Sequence, residues 1–417
     1  MVFQITALVF LIGAIVLGFV RKINVGLVSL GLAFMLGVIG GVDTKIIFNG
    51  FPSKLFITLL GTMYFFCLLQ ENQTLELLSK KMVSLVGKHT YLIPIIIYLA
   101  SYILSAAGPG AISVQSVMIV FAVSLAVQMN TSPILVASMA ILGAVGGTTS
   151  PIALTGIIVT DLTGEMGFTG MAVPVFIGVS IANFICAALL YIYYKGYKLK
   201  KDDLSNQKLP PFNKKQKLGL AAIVILIVAV VGFRYDVGLV SFALALILIL
   251  LGAVNEKAAM KLVPWGVLIL ICGVNVLMSV TKEMGGIELL SGILASMMNS
   301  LTASPLIGLT AGIMSWFSSA NGVVMPTLIP AVPNIVNRLG GNVGVLEMVM
   351  AIVGGSTVAG ISPLSTGGSL ILASYTQETG ASDKEQQSLF VKLFLISFAA
   401  VMVIVVFAFV GGFKLFV

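Results

Sequence analysis

The pentapeptide VGLVS occupies positions 25–29 and returns at 237–241; ELLS occupies 76–79 and returns at 288–291. Both pairs stand 212 positions apart. The same offset pairs Gly40 with Gly252, Val42 with Val254, Lys45 with Lys257, Pro52 with Pro264, Gly61 with Gly273 and Glu71 with Glu283. Further along it pairs Gly110 with Gly322, Ser150 and Pro151 with Ser362 and Pro363, and Gly156 with Gly368. A constant offset held over more than 130 positions, through loops and apolar stretches alike, marks an internal duplication. In a membrane protein, duplication is the mark of a transporter fold built around a central site.

Composition supplies the membrane. Hydrophobic residues are 59% of the 417 and charged residues 9%, far from the soluble average. A span takes about 20 apolar residues. Spans are read at 3–20, 23–42, 51–70, 133–157 and 170–194, then at 217–234, 237–254, 264–281, 345–368 and 388–413. Segment 3–20 does not read as a signal peptide, because no positive residue precedes it and Arg21 and Lys22 follow it. Cys67, Cys186 and Cys272 all fall in apolar spans and read as packing residues.

Two segments do not read as plain spans. Residues 90–128 are interrupted by SAAGPGAIS at 105–113, and 301–336 by SSANGVVMP at 318–326. Arms this short around a Gly/Pro/Asn tip suggest re-entrant helical hairpins. The alternative is a pair of ordinary spans with a tight surface turn. The expectation is an all-α polytopic membrane protein of about 10 transmembrane helices, two re-entrant hairpins and two broken helices. Repeat 1 covers 1–195, with hairpin 90–128, broken helix 133–157 and span 170–194. A basic linker follows at 196–216. Repeat 2 covers 217–417, with hairpin 301–336, broken helix 345–368 and final span 388–413.

Five crossings per half is an odd number, so the second half must run upside down: an inverted-topology repeat. The linker region carries Lys195, Lys198, Lys200, Lys201, Lys208, Lys214, Lys215 and Lys217 against Asp202 and Asp203, so it is expected in the cytoplasm. Counting back places Arg21, Lys22, Lys80, Lys81 and Lys88 on the same side of the inner (plasma) membrane, with both termini outside. The net charge of +8 is then topology rather than a nucleic-acid signal. His89 closes a basic amphipathic stretch and reads as interfacial, not catalytic. Residues 71–89, with apolar positions at Leu75, Leu78, Met82, Leu85 and Val86, and 283–300 read as interfacial helices. Each is either a plain loop helix or a lever joined to its hairpin.

The chemistry must sit where polar groups meet inside the membrane. Residues 143–156 read GAVGGTTSPIALTG and 354–368 read GGSTVAGISPLSTGG. Gly and Pro at this density should interrupt a helix, freeing backbone groups and creating helix ends that bind ions. Small-residue packing explains the glycines but not the hydroxyls beside proline. The candidate cation ligands are Thr148, Thr149, Ser150, Ser356, Thr357, Ser362 and Thr366; Thr155 and Ser365 add hydroxyls. The tips supply the other candidates, Ser105, Gly108, Gly110, Ser113, Ser319, Asn321, Gly322 and Thr327, with Pro151 and Pro363 in the breaks. No span carries Asp, Glu, Lys, Arg or His near its centre; Asp161, Glu165, Arg234, Arg338 and Glu347 fall at or near span ends. A carboxylate relay is therefore absent, and neutral oxygens suit Na⁺ as coupling ion. Proton coupling through a protonated substrate acid is the alternative. No catalytic motif is found, and neither an enzyme nor a cofactor is expected.

These features resemble the ion transporter superfamily. Ser319-Ala320-Asn321-Gly322 is similar to the hairpin tips of the divalent anion:sodium symporters. The first half resembles the malonate/dicarboxylate carriers of the MatC type, through NVGLVSLGLAFMLG (24–37), GFPSKLFITLLGTMYFFCLLQENQTLELL (50–78), AAGPGAISVQ (106–115) and GAVGGTTSPIALTG (143–156). The resemblance covers most of residues 20–160 and, more loosely, the second half. It implies an elevator-type carrier, a homodimer among membrane lipids, moving a small organic anion, a dicarboxylate. Each tip with its broken helix would hold one Na⁺, and the two tips, Ser105 to Ser113 and Ser318 to Thr327, would meet at the substrate carboxylates as the candidate substrate contacts. Tip one departs from the pattern: Ala106-Ala107-Gly108-Pro109-Gly110 has no Asn, and at the common offset Asn321 falls opposite Pro109. Backbone N–H groups could still form an anion nest there. Alternatives are the large membrane subunit of a tripartite binding-protein-dependent carrier, and a channel for small solutes.

Overall fold

The computed structural model describes residues 2–84, 89–199, 209–341 and 343–416, and it is helical throughout them. The first half runs α1 Val2–Arg21, α2 Val25–Gly40, α3 Thr44–Asn49, α4 Ser53–Glu71, α5 Thr74–Ser84, α6 Ile93–Ala106, α7 Gly110–Gln128, α8 Pro133–Gly147, α9 Leu154–Glu165 and α10 Ala172–Tyr193. The second runs α11 Lys214–Ile227, α12 Val237–Leu250, α13 Glu256–Leu262, α14 Trp265–Glu283, α15 Gly286–Ser296, α16 Ala303–Phe317, α17 Met325–Leu328, α18 Val332–Arg338, α19 Val345–Val358, α20 Thr366–Thr379 and α21 Asp383–Phe409. Among the described residues, seven helical stretches are long and apolar enough to cross a membrane, and six shorter apolar helices accompany them. The segments read as spans at 23–42, 217–234 and 237–254 form helices of only 16, 14 and 14 residues, α11 being followed by a π-turn at Val228–Gly232.

Helix ends recur at the sequence offset. α4 and α14 begin and end 212 positions apart, and so do α5 and α15. Left-handed backbone recurs with them: Lys22 (φ 54°) matches Arg234 (φ 57°), and Gln73 (φ 61°) matches Gly285 (φ 72°). Asn24 caps α2 through the Gly26 N–H at 2.8 Å, and Asp236 caps α12 through the Leu239 N–H at 3.0 Å.

The halves pack on each other reciprocally. α2 lies on α14, and its counterpart α12 lies on α4, the counterpart of α14. Glycine makes both crossings close. A Cβ on Gly26 would run into the Ile269 carbonyl and one on Gly273 into the Gly26 carbonyl; one on Gly238 would strike the Thr58 backbone and one on Gly61 the Gly238 carbonyl. Asn24 Nδ2 donates to the Gly266 carbonyl at 2.8 Å across the first crossing, and Thr58 Oγ1 donates to Asp236 Oδ2 at 3.4 Å across the second.

α8 and α19 form the interior. Every residue from Ile134 to Ser150, and from Glu347 to Ala359, is buried. α6 packs on α8 and α16 on α19. Within these helix–turn–helix units the register is 210, not 212. Asn130 (φ 51°) matches Gly340 (φ 74°). Ser105 Oγ donates to the Ala144 carbonyl at 2.7 Å, as Ser315 Oγ does to the Ser356 carbonyl at 2.7 Å. The expected pairing of Asn321 with Pro109 is thereby corrected: Asn321 stands opposite Ala111, and Gly110 is not the counterpart of Gly322. The connection ahead of the second unit is two residues shorter than in the first half, and the connection after it is two longer. Pairing by a single offset could not see the two compensating changes.

Both broken helices continue beyond the expected ends at 157 and 368. α9 runs to Glu165 and α20 to Thr379. Asp161 lies within α9 and Glu378 within α20. The interfacial stretch forms α5, with Leu75 and Leu77 buried and Lys80 paired to Glu76 at 2.6 Å. Leu85, Val86 and Lys88 lie outside the described residues, as do Lys200, Lys201, Asp202, Asp203 and Lys208 of the linker.

Candidate functional site

Tip one joins α6 to α7 through two glycines in conformations other residues resist, Gly108 (φ 134°) and Gly110 (φ 74°). It lodges against the first break. A Cβ on Gly110 would lie 3.0 Å from Leu154 Cβ and 3.5 Å from Thr148 Oγ1, and one on Gly108 would strike the Phe66 ring of α4. Ser105 spends its proton on the Ala144 carbonyl, within the packing of α6 on α8. The Ser113 carbonyl accepts the Ser116 hydroxyl at 2.8 Å.

Tip two is built differently. Ser319 Oγ accepts the Gly322 N–H at 3.1 Å and opens a π-turn over Ala320–Val324. Gly322 has no left-handed backbone; its lack of a side chain makes room for Leu270 of α14. Thr327 is 3% exposed, and its hydroxyl has no partner among the described residues.

The two halves meet at Asn321. Its Oδ1 accepts a hydrogen bond from Thr155 Oγ1 at 2.9 Å, and Thr155 Oγ1 lies 3.3 Å from Thr148 Oγ1. A hydroxyl has one proton. The shorter contact takes it, which leaves Thr148 Oγ1 as a polar neighbour of Thr155. Tip two of one half is thus bonded to the break of the other, beside Gly110 of tip one.

The breaks hold the remaining candidates. The Thr148 carbonyl accepts both the Thr155 and the Gly156 N–H at 3.1 Å. Gly156 and Gly368 each lie against a carbonyl of their own break, Ser150 and Ser362, where a Cβ would collide. Thr149 donates to Gly146 O at 2.6 Å, Ser356 to Val353 O at 3.2 Å and Thr357 to Val353 O at 2.7 Å. These protons are committed within their own helices, which leaves oxygen lone pairs for a cation. Ser362 Oγ accepts the Leu364 N–H at 3.3 Å. Pro363 is buried, Pro151 half-buried and Thr366 exposed. Among the described residues no group of His, Cys, Asp or Glu is placed to hold a metal.

One residue was not among the candidates, although it closes the stretch AAGPGAISVQ. Gln115 lies on α7, one turn past Ala111, and is 4% exposed. A Cβ on Gly367 of the second break would lie 3.3 Å from its Oε1. The available signal was a carboxamide inside the apolar run of α7. Charged groups stay at the far end of α9, where Asp161 feels Lys54 and Glu165 feels Lys282. Cavities of about 690 Å³ between α20 and α21 (Ser369, Thr376, Gln386) and about 620 Å³ between α10 and α21 (Cys186, Tyr193, Ala400) lie away from the tips. Neither gathers the polar groups that converge at the breaks.

Comparison with known proteins follows the same lines. No curated protein sequence matches the chain. Among solved structures, the YdaH transporter of Alcanivorax borkumensis, described as having an unusual topology, is similar in fold, with a TM-score of 0.57 at 14% identity over 88% of this chain and 86% of that one. Residues 1–148 match the family model described as the dicarboxylate carrier protein MatC N-terminus, and so carry the N-terminal pattern of the family that the motifs of residues 20–160 resemble.

Proposed function

We propose that the protein is a secondary active carrier of a small organic anion, a dicarboxylate, coupled to Na⁺ and working by elevator-type alternating access. The observation that carries this reading is the bond from Thr155 to Asn321, which ties the tip of one half to the break of the other. Two like halves, each with a tip and a break, meeting at shared polar groups describe a central site reached from either side. The family match over residues 1–148 supplies the substrate class.

Sodium coupling is supported by the kind of ligand present. The site offers hydroxyls, carboxamides and backbone groups, with no lysine or arginine. A dianion entering such a site must bring its own cations or meet a large desolvation cost. The elevator is supported by the packing. α2, α4, α12 and α14 are locked by the glycine crossings, and the tips rest on them at Phe66 and Leu270, with Gln70 of α4 reaching Ser116 of α7. The tips and broken helices would move against that frame as one unit. In this reading the repeats are inverted, the linker is cytoplasmic in an inner membrane, both termini lie outside, and the carrier is a homodimer in lipid.

Counterflow of labelled malonate or succinate in proteoliposomes holding this chain alone tests the reading. Saturable, Na⁺-dependent exchange is expected. Non-saturable flux would make the protein a channel, and uptake only with an added periplasmic binding protein would make it a tripartite subunit. No movement of any organic anion would refute transport of this class.

A further inference from the structure

The two half-helices that follow the breaks are not alike at their N-termini. In α9, the Thr155 and Gly156 N–H groups are taken by the Thr148 carbonyl, and the Thr155 hydroxyl is taken by Asn321. In α20, the N–H groups of Thr366, Gly367 and Gly368 have no acceptor among the described residues, and Ser365 at the cap makes no side-chain bond to them. The positive end of a 14-residue helix is therefore open. Two consecutive glycines leave its first turn free of side chains; the Gly360 carbonyl stands beside Gly367 and the Ser362 carbonyl beside Gly368.

Gln115 is the second observation. It is 4% exposed, and its amide has no partner among the described residues. The residue is buried, yet its amide atoms are not fully enclosed, so water or a ligand can reach them. It is aimed at Gly367, which stands 212 positions after Thr155. Each second hairpin arm thus presents one carboxamide to the same position of the other half's broken helix. Asn321 has found Thr155; Gln115 meets a glycine and open N–H groups. The side chain longer by one methylene and one turn deeper on α7 supplies the carboxamide that tip one lacks.

We propose that one carboxylate of the substrate binds at the N-terminus of α20, held by the N–H groups of Thr366, Gly367 and Gly368 and by the Gln115 carboxamide. The three N–H groups are donors, which favour an anion at this helix end. A half-turn of the amide presents Nε2–H to the ligand, since oxygen and nitrogen exchange at no cost in shape. The inference rests on the carrier reading and names where that carrier holds its anion.

The test uses the purified full chain, malonate and Na⁺, with Gln115→Met, which keeps length but has no donor, and Gln115→Asn, which keeps the amide but withdraws it. Gln115→Met should weaken malonate binding at saturating Na⁺ by roughly 10- to 100-fold, the loss of a hydrogen bond to a charged group. Gln115→Asn should fall between it and the unaltered protein. Half-saturation by Na⁺ should not move, and the ligand-free melting temperature should hold, because the amide has no protein partner to lose. A structural glutamine would instead lower that temperature. Unchanged malonate affinity in either folded variant overturns the inference while leaving the carrier reading intact. So does lost Na⁺ affinity with malonate affinity retained, which would make Gln115 and the Gly360 carbonyl a cation site. An unaltered protein that binds neither malonate nor succinate overturns both readings together.

Discussion

Replacing Thr155 by Val tests the bond that joins the two halves. Valine keeps the shape of threonine, so packing around this fully buried side chain is preserved. What is lost is the hydroxyl, with its 2.9 Å bond to Asn321 and its 3.3 Å contact with Thr148. Asn321 is half-buried and can turn to water; Thr148 is 1% exposed and loses its polar neighbour. One net hydrogen bond and one buried hydroxyl left without that neighbour together amount to about 1–2 kcal/mol of stability. The shared part should appear in a cycle with Asn321→Ala, measured by denaturation in detergent: about 1 kcal/mol less loss in the double variant than the singles predict. Thr155→Val should also raise KM about fivefold for malonate counterflow, the equivalent of that coupling. Additivity of the two losses within about 0.3 kcal/mol would refute the bond as a structural tie. Unchanged KM would separate it from function.

Asn321→Ala should abolish uptake in a folded protein; near-normal transport would reduce Asn321 to a turn residue. Gly110→Ala should impair uptake more than Gly322→Ala, because left-handed backbone costs a Cβ about 1–2 kcal/mol while Leu270 beside Gly322 can shift. Equal effects in a folded-protein uptake assay would count against it. Gly26→Ala and Gly238→Ala should each lose about 1–3 kcal/mol in detergent denaturation, since both force helix backbones apart; a loss in only one would mean that the crossings differ. Ser150→Ala or Ser362→Ala should raise the Na⁺ needed for half-maximal uptake more than it changes malonate affinity. Full activity in choline at fixed pH would end the Na⁺ reading. Cysteines placed at Lys22 and Arg234 should react with an impermeant reagent from opposite membrane faces; reaction from one face would sink the inverted topology.

Much was legible in one dimension. Apolar runs of spanning length, the glycine and proline clusters at 105–113, 143–156, 318–326 and 354–368, and the offset of 212 are properties of order along the chain. They follow from local rules: helix propensity, backbone freedom at Gly, and the length that a bilayer demands. Those rules place the tips and breaks without knowledge of what lies beside them. They failed at the ends of the broken helices, where α9 and α20 carried on to Glu165 and Thr379.

Contacts between segments distant in the chain were decided only by the tertiary structure. The hairpin register of 210, the bond from Thr155 to Asn321 and the approach of Gln115 to Gly367 all depend on how α7 and tip two settle against the other half. Two compensating changes in connection length leave the overall offset intact, so no pairing by a constant offset reveals them. Gln115 lies outside the tip motif, one turn along a helix, and only burial and an unpaired amide single it out. A sequence pattern records what each residue favours locally. Which polar groups are left without partners is a property of the packed whole, and an unpaired donor is what a site offers its ligand.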